Sequence, residues 1–270
     1  MTQVDAGADR EAAQAGPLFQ GERRAQIMKR LLERGRVDVG ELADEFDVTS
    51  ETIRRDLTEL QRQRLVRRVH GGAVPWRGSM LVPKLDVREG HNVEEKRRIA
   101  RAAVSEVPQS GSLIIDSGST ALHLVDALDR ERDLTVITNQ IPIIRALATT
   151  ERPNVVVLGG ALRRRTMAFV DETGVDTLRD ITVDVAFIGC DGMSPEHGFT
   201  TPYREEVAIK RAMMAAARRV VMMFDHSKVG NEQLFRFAGI DEVDTIYADS
   251  GMDDATAALL EEQGPVVIRV

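Results

Sequence analysis

Residues 49–63 read TSETIRRDLTELQRQ. Ile53, Leu57 and Leu60 recur at steps of four and three, which is the spacing of one helical face, so the stretch is predicted to be an amphipathic helix with a buried stripe. Thr49 or Ser50 stands where a side-chain oxygen caps the free amide groups at the helix start. Ser50, Thr52, Arg54 and Arg55, together with Glu51, then face away from the core. Arginine donates paired hydrogen bonds to guanine or clamps a phosphate, and threonine bonds phosphate or touches a thymine methyl. The outward face of this helix therefore has the chemistry of a DNA reader.

The flanking sequence supplies the rest of a module. Upstream, Glu22 to Arg34 places Ile27, Leu31 and Leu32 at helical spacing and stops at Gly35. GELADEF at 40–46 makes a very short second helix, with Leu42, Ala43 and Phe46 on one face, and Asp47-Val48 is the break before the third. Downstream, Leu65 to His70 alternates like a strand and turns at Gly71-Gly72, forming a wing that carries Arg67, Arg68 and His70 toward the sugar-phosphate backbone. Two helices joined by a tight turn, the second basic at its N-terminal end, is the geometry that enters a major groove. Residues 21–76 are accordingly expected to be a winged helix-turn-helix domain preceded by a disordered tail over 1–20.

Charge distribution agrees. The 270-residue chain is acidic overall, with a net charge of −7. Residues 21–76 nevertheless hold 12 Lys and Arg against 10 Asp and Glu, and residues 54–68 contain six arginines against Asp56 and Glu59. A charge run by itself is usually a solvated surface. Here short helix, turn, capped helix and wing arrive in order, and that succession favours a local DNA-binding face on an otherwise acidic protein.

Pro75, Gly78, Pro83 and Gly90 interrupt any period, so residues 77–91 read as a linker. Asn92 followed by Glu95 resembles a capping box that opens a helix through Glu106, with Ile99, Ala103 and Val107 on its apolar side. From there to residue 270, strand-like runs alternate with helical ones: Leu113 to Ile115, Leu134 to Thr138, Val155 to Leu158, Val185 to Ile188, Val220 to Phe224, Thr245 to Ala248 and Val266 to Ile268. The expected fold of residues 92–270 is a mostly parallel α/β sheet domain, whose ligands collect beyond the C-terminal strand ends. Those ends are polar: Asp116-Ser117-Gly118-Ser119-Thr120, Thr138-Asn139, Gly159-Gly160, Cys190-Asp191-Gly192 and Asp225-His226-Ser227-Lys228. The first is a small-residue loop opening a helix, which suits an anion such as phosphate, with Lys228 or Lys210 adding charge.

GRVDVGELADEFDVTSETIRRDLTELQRQRLVRRVHGGA, residues 35–73, resembles the N-terminal signature of the DeoR family of transcriptional regulators. Asp47 stands where many members have glycine, and aspartate tolerates the left-handed backbone such a turn needs. DSGSTALHL, TNQIPI, LGGALR, FIGCDG, GFTT, EEVAIKRAM and DHSK resemble the family's effector-domain motifs in order. The resemblance implies a second domain similar to the ribose phosphate isomerase and glucosamine phosphate deaminase fold. It also implies a phosphorylated sugar or related metabolite as effector, and repression relieved by that ligand. By matching motifs it implies Asp116, Ser119, Thr120, Asn139, Asp191, Glu206, Lys210 and Lys228 as effector-binding residues. The loop reading adds Ser117, Gly118, Gly159 and Gly160.

An isomerase-like enzyme with an appended DNA-binding domain is the alternative, with Asp191 or Glu206 moving a proton and Lys210 stabilising an enolate oxygen. It is disfavoured because the chain continues after Asp191-Gly192 as Met-Ser-Pro-Glu rather than with a second acidic cluster, and because an isomerase has no need of the first domain. The one cysteine, Cys190, excludes an internal disulfide, and the five histidines show no ligand spacing with it. No metal and no cofactor are expected. Cys190 reads as a small half-buried thiol, and Met213, Met214, Met222 and Met223 read as core or subunit contact. No apolar run reaches bilayer length and the N-terminus lacks a secretory signal, so a cytoplasmic protein without membrane contact is expected. Its expected partners are a double-stranded DNA operator, a small phosphorylated metabolite and further copies of itself, as dimer or tetramer.

Overall fold

The computed structural model describes residues 19–63, 65–69, 71–76 and 85–270. His70 and most of the expected linker lie outside them. Helix α1 (Gln20–Arg34) ends at Gly35, whose φ of 71° lets its N–H donate to the Leu31 carbonyl at 2.8 Å. After β1 (Val37–Asp38), the Asp38 carboxylate accepts from the Gly40 N–H at 2.7 Å and starts α2 (Val39–Glu45). Asp47 adopts the left-handed backbone, φ 50°, at the turn. Thr49 Oγ1 then accepts from the Thr52 N–H at 3.2 Å and caps α3 (Ser50–Arg62).

The wing is the antiparallel hairpin of β2 (Val66–Val69) and β3 (Gly72–Pro75), with β1 completing a three-stranded sheet. Gly72 is required there, because a Cβ would stand 1.9 Å from the Val37 carbonyl oxygen. Ile27, Leu31, Leu42, Ile53, Leu57, Leu60 and Val66 form the core of this module. Full burial of a side chain such as Ile53 or Leu57 contributes roughly 1.5–3 kcal/mol.

Two helices, α4 (Leu85–Glu89) and α5 (Val93–Ala103), lead into the second unit. The expected linker is thus partly helical, and Leu85 is buried in it. Asn92 is not the capping residue its spacing predicts. It sits at φ 51° without a side-chain cap, and its Nδ2 donates instead to Asp225 Oδ1 at 2.8 Å.

Seven parallel strands make the main sheet, each within or overlapping a predicted run: β4 (Ser110–Ile115), β5 (Asp133–Thr138), β6 (Asn154–Val157), β9 (Val185–Gly189), β12 (Val220–Met223), β14 (Thr245–Ala248) and β15 (Val266–Arg269). Their order is β15-β14-β12-β9-β4-β5-β6. Both faces of the inner strands are covered, which explains their apolar runs without polar alternation, while Val156 and Val157 of β6 and Val266 of β15 are exposed at the two edges. Leu113, Ile115, Phe187, Val221 and Met223 pack under α5, α6 (Ser119–Ala127) and α7 (Ile141–Leu147). Ile114, Ala186, Ile188, Met222 and Ile246 pack on the other side with α8 (Glu172–Leu178), α9 (Arg204–Ala215) and α10 (Asp254–Glu261). The four methionines singled out in the sequence are buried in these cores.

Not foreseen are the hairpin of β7 (Leu162–Arg163) and β8 (Ala168–Phe169), and an antiparallel sheet of β10 (Gly192–Ser194), β11 (Gly198–Thr201) and β13 (Phe235–Ala238). These strands have two to four residues, too few to show a period. The main sheet grows one way from β4 through β5 and β6, and the other way from β9. The β4/β9 boundary is therefore a topological switch point, where the loops leaving the two strand ends part and open a crevice.

Candidate functional site

On the DNA-binding module the α3 surface is as its sequence pattern requires. Arg54 and Arg55 are exposed and approach Glu51 at 3.7 Å each, loose surface pairs that a phosphate can replace. Ser50 and Thr52 are half-buried, and the Thr52 hydroxyl lies 3.0 Å from that of Thr49. Arg67 is exposed on β2, while Arg68 Nη1 donates to Thr58 Oγ1 at 3.1 Å and so lies against α3. Asp56, the acidic member of the helix, is buried and paired with arginines of α1.

In the second unit a narrow cleft of about 30 Å³ lies at the switch point. Of the predicted effector residues, Ser117, Gly118, Ser119, Thr120, Asp191, Glu206, Lys210 and Lys228 line it. They come from the loop after β4, the end of β9, α9 and the turn after β12. Gly118 has φ 156° and donates its N–H to Gln140 Oε1 at 3.1 Å, which fixes the loop at the start of α6.

Asp116 lies behind this wall. It contacts Lys210 Nζ closely, and its Oδ2 also accepts from the Gly189 N–H at 3.1 Å. Burial would lower the Lys210 pKa, but Asp116 and Glu206 outweigh it and hold the ammonium above its ordinary value. Lys210 is thus a charged strut joining β4, β9 and α9. Asn139, Gly159 and Gly160 are not brought to the cleft. Asn139 Nδ2 donates to the Phe169 carbonyl at 2.9 Å and ties down β8. Gly159 and Gly160 form a turn in which a Cβ on Gly160, φ 132°, would lie 2.3 Å from Asp171 Oδ1. Their glycines answer to that turn.

At the acidic end, Thr201 Oγ1 stands between Glu206 Oε2 at 2.8 Å and Asp191 Oδ2 at 3.2 Å. Burial, then Asp191, pushes the Glu206 carboxyl up to about 7, and its Oε1 is buried without a hydrogen-bond partner. At the other end Lys228 has no carboxylate within ion-pair distance among the described residues. Cys190 lines the cleft, with its thiol pushed up to about 12 by burial, so it is not a thiolate at neutral pH. The arrangement offers an anion a cationic, small-residue end and offers hydroxyl groups an acceptor-rich one.

Residues 23–76 match the DeoR-like helix-turn-helix domain and residues 91–250 match the DeoR C terminal sensor domain. The chain belongs to the DeoR family of transcriptional regulators. It is 32% identical over 231 residues to the glycerol-3-phosphate regulon repressor of Escherichia coli, covering 86% of this chain and 91% of that one. It is 31% identical to the HTH-type transcriptional regulator GlpR of Haloferax volcanii, covering 93% and 98% respectively. Among solved structures, the probable sor operon regulator from Shigella flexneri has a TM-score of 0.43 at 10% identity, over 63% of this chain and 88% of that one. Ribose 5-phosphate isomerase A from Methanocaldococcus jannaschii has 0.39 at 20% identity, over 52% and 56%.

A DeoR-family regulator binds DNA through the first domain and carries a sensor in the second, and most of the cleft lies within residues 91–250 that match this sensor domain. Three cleft or near-cleft groups escaped sequence reasoning. Arg88 lines the cleft from within the expected linker, Thr166 from the turn between β7 and β8, and Thr201 bridges the two acids. Thr201 alone carried a signal, the GFTT motif. No helix among the described residues is long and apolar enough to cross a membrane.

Proposed function

We propose that the protein is a repressor of carbohydrate-related genes that binds a paired operator as a homo-oligomer and releases it when a phosphorylated sugar or polyol fills the cleft. The observation that carries this reading is the cleft's polarity. Ser117 to Thr120 and Lys228 form one wall, suited to a phosphate, and Asp191 and Glu206 form another, suited to hydroxyls. The names of its relatives, a glycerol-3-phosphate regulon repressor and a putative aga operon transcriptional repressor among them, favour the same ligand class. Ser50, Thr52, Arg54, Arg55, Arg67 and Arg68 are the DNA contacts, together with His70, which lies outside the described residues. Paired half-sites call for at least two copies. Such a regulator works in the cytoplasm, where operator and phosphorylated metabolites meet.

Anisotropy of labelled DNA from the protein's own upstream region, titrated with protein and then with glycerol 3-phosphate and a panel of hexose phosphates, tests both halves. Saturable binding reversed by at least one of them is expected. Binding that ignores every phosphorylated metabolite, each near millimolar, would overturn the effector assignment.

A further inference from the structure

We propose that Arg88 couples the sensor cleft to the DNA-binding domain. Its guanidinium pairs with Asp191, an anionic ligand competes for it, and α4 shifts with the exchange. The inference rests on the cleft being a ligand site.

Arg88 belongs to α4, the short helix between the wing and the sensor. Its Nη1 donates to Asp191 Oδ1 at 3.2 Å, with side-chain exposures of 13% and 6%, so the pair is largely shielded from water. Its Nε is buried without an acceptor, and the side chain lines the cleft together with the Ser117 to Thr120 loop. A guanidinium with a spare donor beside an anion site can turn its planar fork to a phosphate or carboxylate, which it binds through two parallel hydrogen bonds. Asp191 and the ligand then compete for one cation.

The surroundings of α4 turn that competition into movement. Upstream, the Leu85 N–H donates to the Arg165 carbonyl at 3.1 Å. Downstream, Lys96 Nζ donates to the carbonyls of Arg88 and His91 at 2.5 Å each, and lies 3.9 Å from Asp225 Oδ2. Asn92 fastens the same turn to Asp225, three residues before Lys228. The Arg88 side chain is therefore bonded to a wall of the cleft, and the turn after α4 is bonded to Asp225, in the segment that carries Lys228. On the opposite side the His91 ring contacts the main-chain carbonyl of Arg34, the last residue of α1. A ligand that binds the Arg88 fork differently from Asp191 distinguishes two positions of α4, which is the requirement for coupling.

The test uses the full-length protein. Arg88→Gln and Asp191→Asn each break the pair without any ligand. In both, operator Kd of the ligand-free protein should move in the same direction by about fivefold or more, the lower end of usual coupling. The emission of Trp76, the chain's one tryptophan, placed just after β3, should shift in parallel. Arg88→Lys, which keeps charge but loses the fork, should fall between, and Arg97→Gln, exposed on α5, should change neither. Melting curves identify any variant that fails to fold, and the lysine variant then carries the comparison. In a second arm, glycerol 3-phosphate should alter operator binding by the wild type and leave that by Arg88→Gln unmoved. Wild-type operator affinity and Trp76 emission in ligand-free Arg88→Gln would overturn the proposal. A wild type indifferent to glycerol 3-phosphate would count against that ligand only, since the ligand-free comparison decides the role of Arg88 by itself.

Discussion

Asp56 of α3 and Arg23 of α1 meet in a buried contact: the carboxylate Oδ2 lies 2.6 Å from Arg23 Nε, and Oδ1 lies 2.9 Å from Arg24 Nε. The acid in the middle of the third helix thus faces inward, where it fastens α3 to α1. Removing one partner of such a cluster leaves charge uncompensated, at a cost of about 3 kcal/mol. Asp56→Ala should lower the stability of the protein by about that much in urea unfolding. The salt dependence of DNA binding should stay as in the wild type, because every group that meets phosphate is still present. A change of slope without a change of stability would place Asp56 at the DNA instead.

Arg54 and Arg55 should behave in the opposite way. Both are exposed and only loosely paired, so Arg54→Ala and Arg55→Ala should shift stability by no more than about 0.5 kcal/mol. An arginine that neutralises a phosphate should, once replaced, flatten the plot of log K against log salt by about 0.9. One that reads a base should instead cost about 1–3 kcal/mol and relax preference at one position. Operator titrations at several salt concentrations separate the two. If both variants bind with wild-type affinity and slope, α3 does not lie in the groove.

Glu206 gives a pH signature. Its folded pKa, about 7, lies above the ordinary 4.5 because burial and then Asp191 disfavour the carboxylate. Between those values the folded state holds a proton that the unfolded chain has released, so this group's contribution to stability falls as pH rises through the window and levels off above it. Glu206→Gln, which cannot ionise, should gain on the wild type by up to about 3 kcal/mol between pH 4.5 and pH 8. Paired denaturation curves across that range check it. A stability difference independent of pH would mean that the Glu206 pKa is not raised.

Lys228 and Gly160 separate ligand recognition from turn geometry. Lys228→Gln should abolish most of the stabilisation given by a phosphorylated ligand, which follows RT ln(1 + [L]/Kd). Gly160→Ala should do the reverse: a destabilisation of about 1–3 kcal/mol from backbone strain, with ligand response retained in the folded protein. Thermal-shift titrations of both variants read this directly. A Gly160→Ala protein with wild-type stability would show that the turn relaxes away from Asp171.

Much of the architecture is legible in the residues because it is local. Ile53, Leu57 and Leu60 announce α3 through spacing alone, Thr49 marks its start, and Gly35 marks the end of α1. The inner sheet strands stand out because burial on both faces makes their runs apolar, and the edge runs of β6 and β15 are apolar as well although Val156, Val157 and Val266 are exposed. Asn92 misleads for the complementary reason. Its spacing to Glu95 satisfies a capping rule, but Asp225, 133 positions away, holds the side chain instead.

By itself, then, the sequence determined the helix that reads DNA, the parallel sheet and the polar strand ends, since each is written in neighbours a few residues apart. Only the tertiary structure decided which polar residues face the cleft. It put Lys210 against Asp116 as a strut, turned Asn139 and the glycines 159 and 160 to local fastening, and carried Arg88 out of an apparent linker to Asp191, 103 positions away. Side-chain partnership across such distances depends on how the strand ends converge, and spacing along the chain holds no record of that.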